Sequence, residues 1–155
     1  MENIDKEILK QLSSQKGDKT EIANRLVAEN CIANPKILAE IAIGLENKDK
    51  KLQSDCIEVF TLVAELKPEF VVPYAENILP LLYSKETKTR WEAVHTLSFI
   101  AEKIPDVIFS VLPVLQSLTQ IFMYLDRPIL LTGFTLEIAI IQAFSVFTDC
   151  IFINY

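Results

Sequence analysis

The chain has 155 residues, a formal net charge of −6, half of its residues hydrophobic and 23% charged, which excludes a disordered polymer and fits one globular domain with a core of its own. Three glycines, none in a phosphate-loop spacing, argue against a nucleotide fold, and one histidine excludes a multi-histidine metal site. Cys31, Cys56 and Cys150 show no CxxC spacing, so neither a zinc site nor a disulfide framework is expected. The N-terminus, Met1-Glu2-Asn3-Ile4-Asp5-Lys6-Glu7, has no basic segment followed by an apolar one, so no secretory signal is expected. Together with free cysteines this gives a cytoplasmic expectation.

In chain order, Ile4, Ile8, Leu9 and Leu12 form one stripe of a first helix over residues 3–15, stopping in a polar loop at Ser13-Ser14-Gln15-Lys16-Gly17. A second helix from Thr20 is expected to turn Ile22, Ala23, Leu26 and Val27 inward. Asn34-Pro35 opens a third, with Ile37, Leu38, Ile41, Ala42 and Leu45 inward, because proline costs no hydrogen bond in a first helical turn.

Residues 51–82 then align with 88–119 at a constant offset of 37, the separation of Pro68 from Pro105. Cys56 falls on Ala93, Ile57 on Val94, Phe60 on Leu97, Val63 on Ile100, Ala64 on Ala101, Val71 on Ile108 and Ile78 on Leu115. Each copy reads as helix, proline turn, helix, with an acidic residue, Glu69 or Asp106, in the first turn after the proline, where it complements the helix dipole. Pro73, Pro80 and Pro113 fall inside the second helices and are expected to kink or restart them. Cys56, in the slot of Ala93, reads as an inert buried thiol. A weaker copy lies upstream, where Ala28-Glu29 matches Ala64-Glu65, and a partial one begins near Arg127. Two-helix units at this period predict an all-α fold, an α-solenoid of three to four repeats. The expected units are a capping helix over 3–15, repeats over 20–46, 50–83 and 87–124, a partial apolar repeat over 128–148 and a tail over 149–155.

The run Thr89-Arg90-Trp91-Glu92-Ala93-Val94-His95-Thr96-Leu97, followed by Pro105-Asp106 and Val111-Leu112-Pro113-Val114-Leu115, resembles the HEAT repeat, with the armadillo repeat as a close relative. Arg90 stands at the usual arginine position of that repeat, and Gln53 replaces it in the preceding copy. The resemblance covers residues 20–120. It implies a non-enzymatic interaction scaffold without cofactor, and second helices that line a concave surface.

Candidate partner-binding residues follow from comparing the copies. Trp91 and His95 share a helix face whose counterparts, Ser54 and Glu58, are hydrophilic. Trp91 serves either as a partner anchor or as packing against a neighbouring repeat. His95 has no nucleophile motif around it, so no catalytic residue is assigned. Lys36, Glu40, Glu69, Glu76, Tyr83, Asp106, Ser110, Ser117 and Gln120 are the outward positions of the second helices. They make a mildly acidic groove suited to a basic or amphipathic helix. Lys48 and Lys85, and Lys51 and Lys88, align at the same offset and with Lys50 and Arg90 form a basic edge, partly cancelled by Asp49 and Glu86.

A protein or peptide partner is therefore expected. Bacterial alkylpurine DNA glycosylases share HEAT-like repeats and a basic groove, but the acidic balance here weighs against a nucleic-acid partner. The apolar run Ile129 to Phe147 approaches the length of a membrane span, yet holds Glu137 and Gln142 and lacks a basic flank after it, so a buried last repeat is preferred to a membrane segment. The apolar tail, Cys150 to Tyr155, makes a poor solenoid cap, which leaves folding back, self-association or a longer array open.

Overall fold

A computed structural model describes residues 7–124, with side chains to residue 118. The expected partial repeat over 128–148, the apolar run 129–147 and the tail 149–155 lie outside the described residues. Among the described residues the chain is helical and has no strand. The helices are α1 (Ser13–Lys16), α2 (Ile22–Ala33), α3 (Leu38–Leu45), α4 (Lys50–Leu66), α5 (Pro68–Val71), α6 (Ala75–Ile78), α7 (Thr87–Ile100) and α8 (Pro105–Tyr124).

The boundaries have local causes. Asp49 caps α4, its Oδ1 accepting from the N–H groups of Lys51 (3.0 Å) and Leu52 (3.4 Å). Pro68 and Pro105 each occupy the first position of their helix, where a missing N–H costs nothing. Pro73 and Pro80 restart the second segment as expected. Each lies in a 3₁₀ turn, Val72–Tyr74 and Leu79–Tyr83, on either side of the four-residue α6. Pro113 does not restart α8, which runs through it. Two prolines seven positions apart leave too little helix between them to hold a regular ladder, whereas Pro113 stands alone with two full turns before it.

The N-terminal segment corrects two expectations. A 3₁₀ turn, Leu9–Gln11, replaces the expected single helix over the described part of 3–15, and the expected loop at 13–17 folds into α1. Ile8, Leu9 and Leu12 are buried as expected. The turn forms because distant side chains satisfy its first donors: the Ser13 N–H donates to Asn24 Oδ1 (2.9 Å) and the Ser14 N–H to Asp55 Oδ2 (2.7 Å). Gly17 ends it in the left-handed conformation, φ 69°.

Helix α2 corrects a third. Ala23 and Val27 point inward, but Ile22 and Leu26 are 58% and 53% exposed. The buried stripe is Ala23, Asn24, Val27, Ala28 and Cys31. Asn24 wins an inward place because its amide is bonded on both sides, accepting from Ser13 and donating to Asp55 Oδ1 (3.1 Å) and Glu58 Oε2 (3.3 Å).

Helix α4 is central to the packing: it lies against α2, α3 and α7, and α3 also meets α6. All seven aligned apolar pairs of the two main copies are buried, from Cys56 and Ala93 through Phe60 and Leu97 to Ile78 and Leu115. Burial pushes the Cys31 and Cys56 thiols up to about 12, with Glu40 and Asp55 adding to it respectively, so both are protonated and unreactive near neutral pH.

Gly44 permits a close approach of α3 to Cys56 of α4. A Cβ there would collide with Cys56 Sγ and come within 3.2 Å of Leu9 Cδ2. Gly44→Ala is therefore expected to lose about 1–3 kcal/mol of stability by overpacking, read as a lowered urea midpoint. An unchanged midpoint would show that α3 does not pack this closely.

Candidate interaction surface

Helices α2, α4 and α7 are joined by a polar seam. Glu58 is a buried residue of α4; its Oε2 accepts from Asn24 of α2 and from Lys88 Nζ of α7 (2.8 Å). Lys88 also pairs with Glu21, which precedes α2 and holds the left-handed φ of 61°. Farther along, the hydroxyls of Thr61 and Thr96 lie 2.9 Å apart, and Thr96 Oγ1 donates to the Glu92 carbonyl (2.8 Å). Burial raises the carboxyl pKa values of Glu58 and Glu92; Lys88 opposes the rise at both, while Glu21 adds to it. Burial alone would lower the pKa of Lys88, but its bonds to Glu21 and Glu58 raise it above the ordinary lysine value.

This seam removes cations from the basic edge. Lys88 is committed to Glu21 and Glu58, and the Arg90 guanidinium donates to the Ser84 carbonyl (2.5 Å) and to Thr87 Oγ1 (3.3 Å). Lys48, Lys51 and Lys85 are exposed. Gln53, at the position equivalent to Arg90, is buried and does a related job: its Nε2 donates to the Leu45 carbonyl (2.6 Å) and its Oε1 accepts from Lys50 Nζ (3.3 Å).

Two of the groove residues meet at a cleft. Glu76 and Tyr83 line a space of about 330 Å³ at the junction of α3, α4 and α6, together with Leu45, Glu46, Lys50, Gln53, Asn77, Pro80, Leu81 and Ser84. Tyr83 is 68% exposed although its ring is large and mostly apolar. Glu46 and Glu76 are exposed, and neither forms an ion pair among the described residues. Glu69 and Asp106 are also exposed but stand in the first turns of α5 and α8, outside this cleft. Gln120 lies on α8, its side chain beyond those described.

Trp91 and His95 touch, with ring centroids 4.4 Å apart, and both are half-buried. Trp91 packs against the core. Burial holds the His95 pKa below its ordinary value, and its buried Nε2 forms no hydrogen bond among the described residues. No group of three or more His, Cys, Asp or Glu among the described residues is arranged to hold a metal ion. No helix among them is long and apolar enough to cross a membrane.

Glu46 and Asn77 carry no signal in the spacing, because their place in the cleft depends on how α3 meets α6. The seam is hidden in the sequence because Asn24, Asp55 and Lys88 lie far apart along the chain. The one available signal was an asparagine inside the apolar stripe of α2. No family model, curated protein or solved structure matches this chain.

Proposed function

We propose that the chain is a HEAT-like α-solenoid that works as a non-enzymatic interaction scaffold, holding a protein or peptide partner along its second-helix face with the Tyr83 cleft as the anchor point. The contacts of α4 with both α2 and α7 support the solenoid, as does the matched burial of the seven aligned apolar pairs. The observation that carries the binding role is the cleft itself, where a largely exposed aromatic ring stands beside two carboxylates without ion-pair partners among the described residues. Such a ring supplies contact area at small entropic cost and commonly anchors an interface. A non-catalytic reading fits His95, which is held neutral against Trp91 with no hydroxyl or thiol bonded to its ring among the described residues. The inward use of Lys88 and Arg90 weighs against a phosphate-binding edge.

The test is selection of peptides from a displayed random library against the intact chain, followed by titration of Tyr83→Ala. Loss of about tenfold or more in affinity is expected, with the melting temperature unchanged, because the ring is outside the core. Selected peptides that bind Tyr83→Ala as tightly as the parent chain would remove the cleft from the function.

A further inference from the structure

The two main copies treat the same junction differently, and a cleft opens beside the uncharged member. In the later copy, Arg90 of α7 lays its guanidinium over the end of the preceding segment, bonding the Ser84 carbonyl and Thr87 Oγ1. In the earlier copy, the equivalent pair is Gln53 and Lys50, and Gln53 bonds the Leu45 carbonyl. Glutamine is the shorter side chain and carries no charge. The cleft of about 330 Å³ opens at this junction, with Gln53 in its lining. Two carboxylates, Glu46 and Glu76, line it beside one lysine, Lys50, whose ammonium is held on Gln53 Oε1, while the Arg90 guanidinium meets the lining only at the Ser84 carbonyl. Asn77 is half-buried in the same lining, and its side-chain amide makes no hydrogen bond among the described residues.

We propose that this cleft takes the guanidinium of an arginine carried by the partner, received between the Tyr83 ring and the carboxylates of Glu46 and Glu76. This rests on the binding role assigned to the cleft above. Arginine suits the lining better than lysine does. Its planar, weakly hydrated head stacks on a tyrosine ring while its fork of donors meets carboxylate and amide oxygens. The aliphatic part of its side chain lies against Pro80 and Leu81.

The probe is a capped peptide, acetyl-Gly-Arg-Gly-Leu-amide, titrated into the intact chain and followed by amide chemical shifts. Its citrulline analogue has nearly the same shape and no charge. The arginine peptide is expected to move the amides of residues 45–53 and 76–84 and to bind about tenfold more tightly than the citrulline peptide, the size of effect a lost charge-assisted pair produces. Glu76→Gln is expected to erase most of that preference. Gln53→Arg should block the site by filling it from within. Equal binding of the two peptides at the cleft would overturn the arginine inference and leave the binding role standing, as would library-selected cleft binders without arginine. If neither these peptides nor any library-selected one moved the cleft amides, both would fall. The comparison of the two peptides is made on the parent chain, so it stands even where Gln53→Arg fails to fold.

Discussion

Phe60→Ala is expected to cost about 3–5 kcal/mol and to lower the urea midpoint more than any other single truncation in α4. The ring is fully buried and meets Tyr74 edge-on, with centroids 5.4 Å apart. It sits on the helix that packs against α2, α3 and α7, so the cavity it would leave lies where several elements meet and little can collapse into it. Leu97, its equivalent on α7, is also fully buried and is a smaller side chain. Leu97→Ala should be the milder change, at about 2–4 kcal/mol. A loss of under about 1 kcal/mol at Phe60 would mean that α4 is not the centre of the packing.

Lys88→Met is expected to be the most damaging change to a charged residue. It would strip Glu58 of its cationic partner while Glu58 remains enclosed by α2, α4 and α7. A fully buried pair broken in this way costs about 3–5 kcal/mol, but the Lys88 side chain is 45% exposed and solvent screens part of the loss, so about 1–3 kcal/mol is expected. The pH dependence identifies the cause. Burial raises the Glu58 carboxyl in the folded state, so the fold takes up a proton there more readily than the unfolded chain does. That contribution to stability is fully present below the ordinary value of 4.5 and is lost as pH rises through the raised folded value. Removing Lys88 raises the folded value further, because Lys88 opposes the shift. The deficit of Lys88→Met should therefore shrink as pH is lowered from neutral toward 4.5, and a Lys88→Met, Glu58→Gln double variant should lack most of that recovery, keeping only the smaller part owed to Glu92. A deficit independent of pH in the single variant would assign the loss to the lysine stem rather than to Glu58.

What could be read before the structure was whatever depended on spacing alone. The seven aligned pairs of the two copies are apolar at helical intervals, and their burial matches. The openings at Pro68 and Pro105 were legible because proline favours a helix start wherever it stands. Ile22 and Leu26 misled because hydrophobicity by itself assigned them inward. The inward stripe was decided by Asn24, whose partners Asp55 and Glu58 lie 31 and 34 residues along the chain. The same limit hid α1, whose first donors are answered by Asn24 and Asp55. At the cleft, Glu76 and Tyr83 could be picked as outward positions of a second helix. The substitution of arginine by Gln53 was visible as a departure from the repeat pattern. The cleft lined by Gln53 was not visible, because it required the packing of α3 against α4 and α6.

Cross-linking of Thr61→Cys with Thr96→Cys probes the side-by-side register of the first helices, on which the repeat reading and the cleft both depend. The two hydroxyls lie 2.9 Å apart, so sulfur atoms in their place fall within reach of one another. Cys31 and Cys56 are buried with thiols held protonated and can stay, while Cys150 is replaced by serine. Under glutathione oxidation the pair should close rapidly into an intramolecular disulfide that leaves the circular dichroism spectrum intact. Failure to close, or closure as readily in a Thr61→Cys, Ser98→Cys control, would contradict α4 and α7 lying in this register.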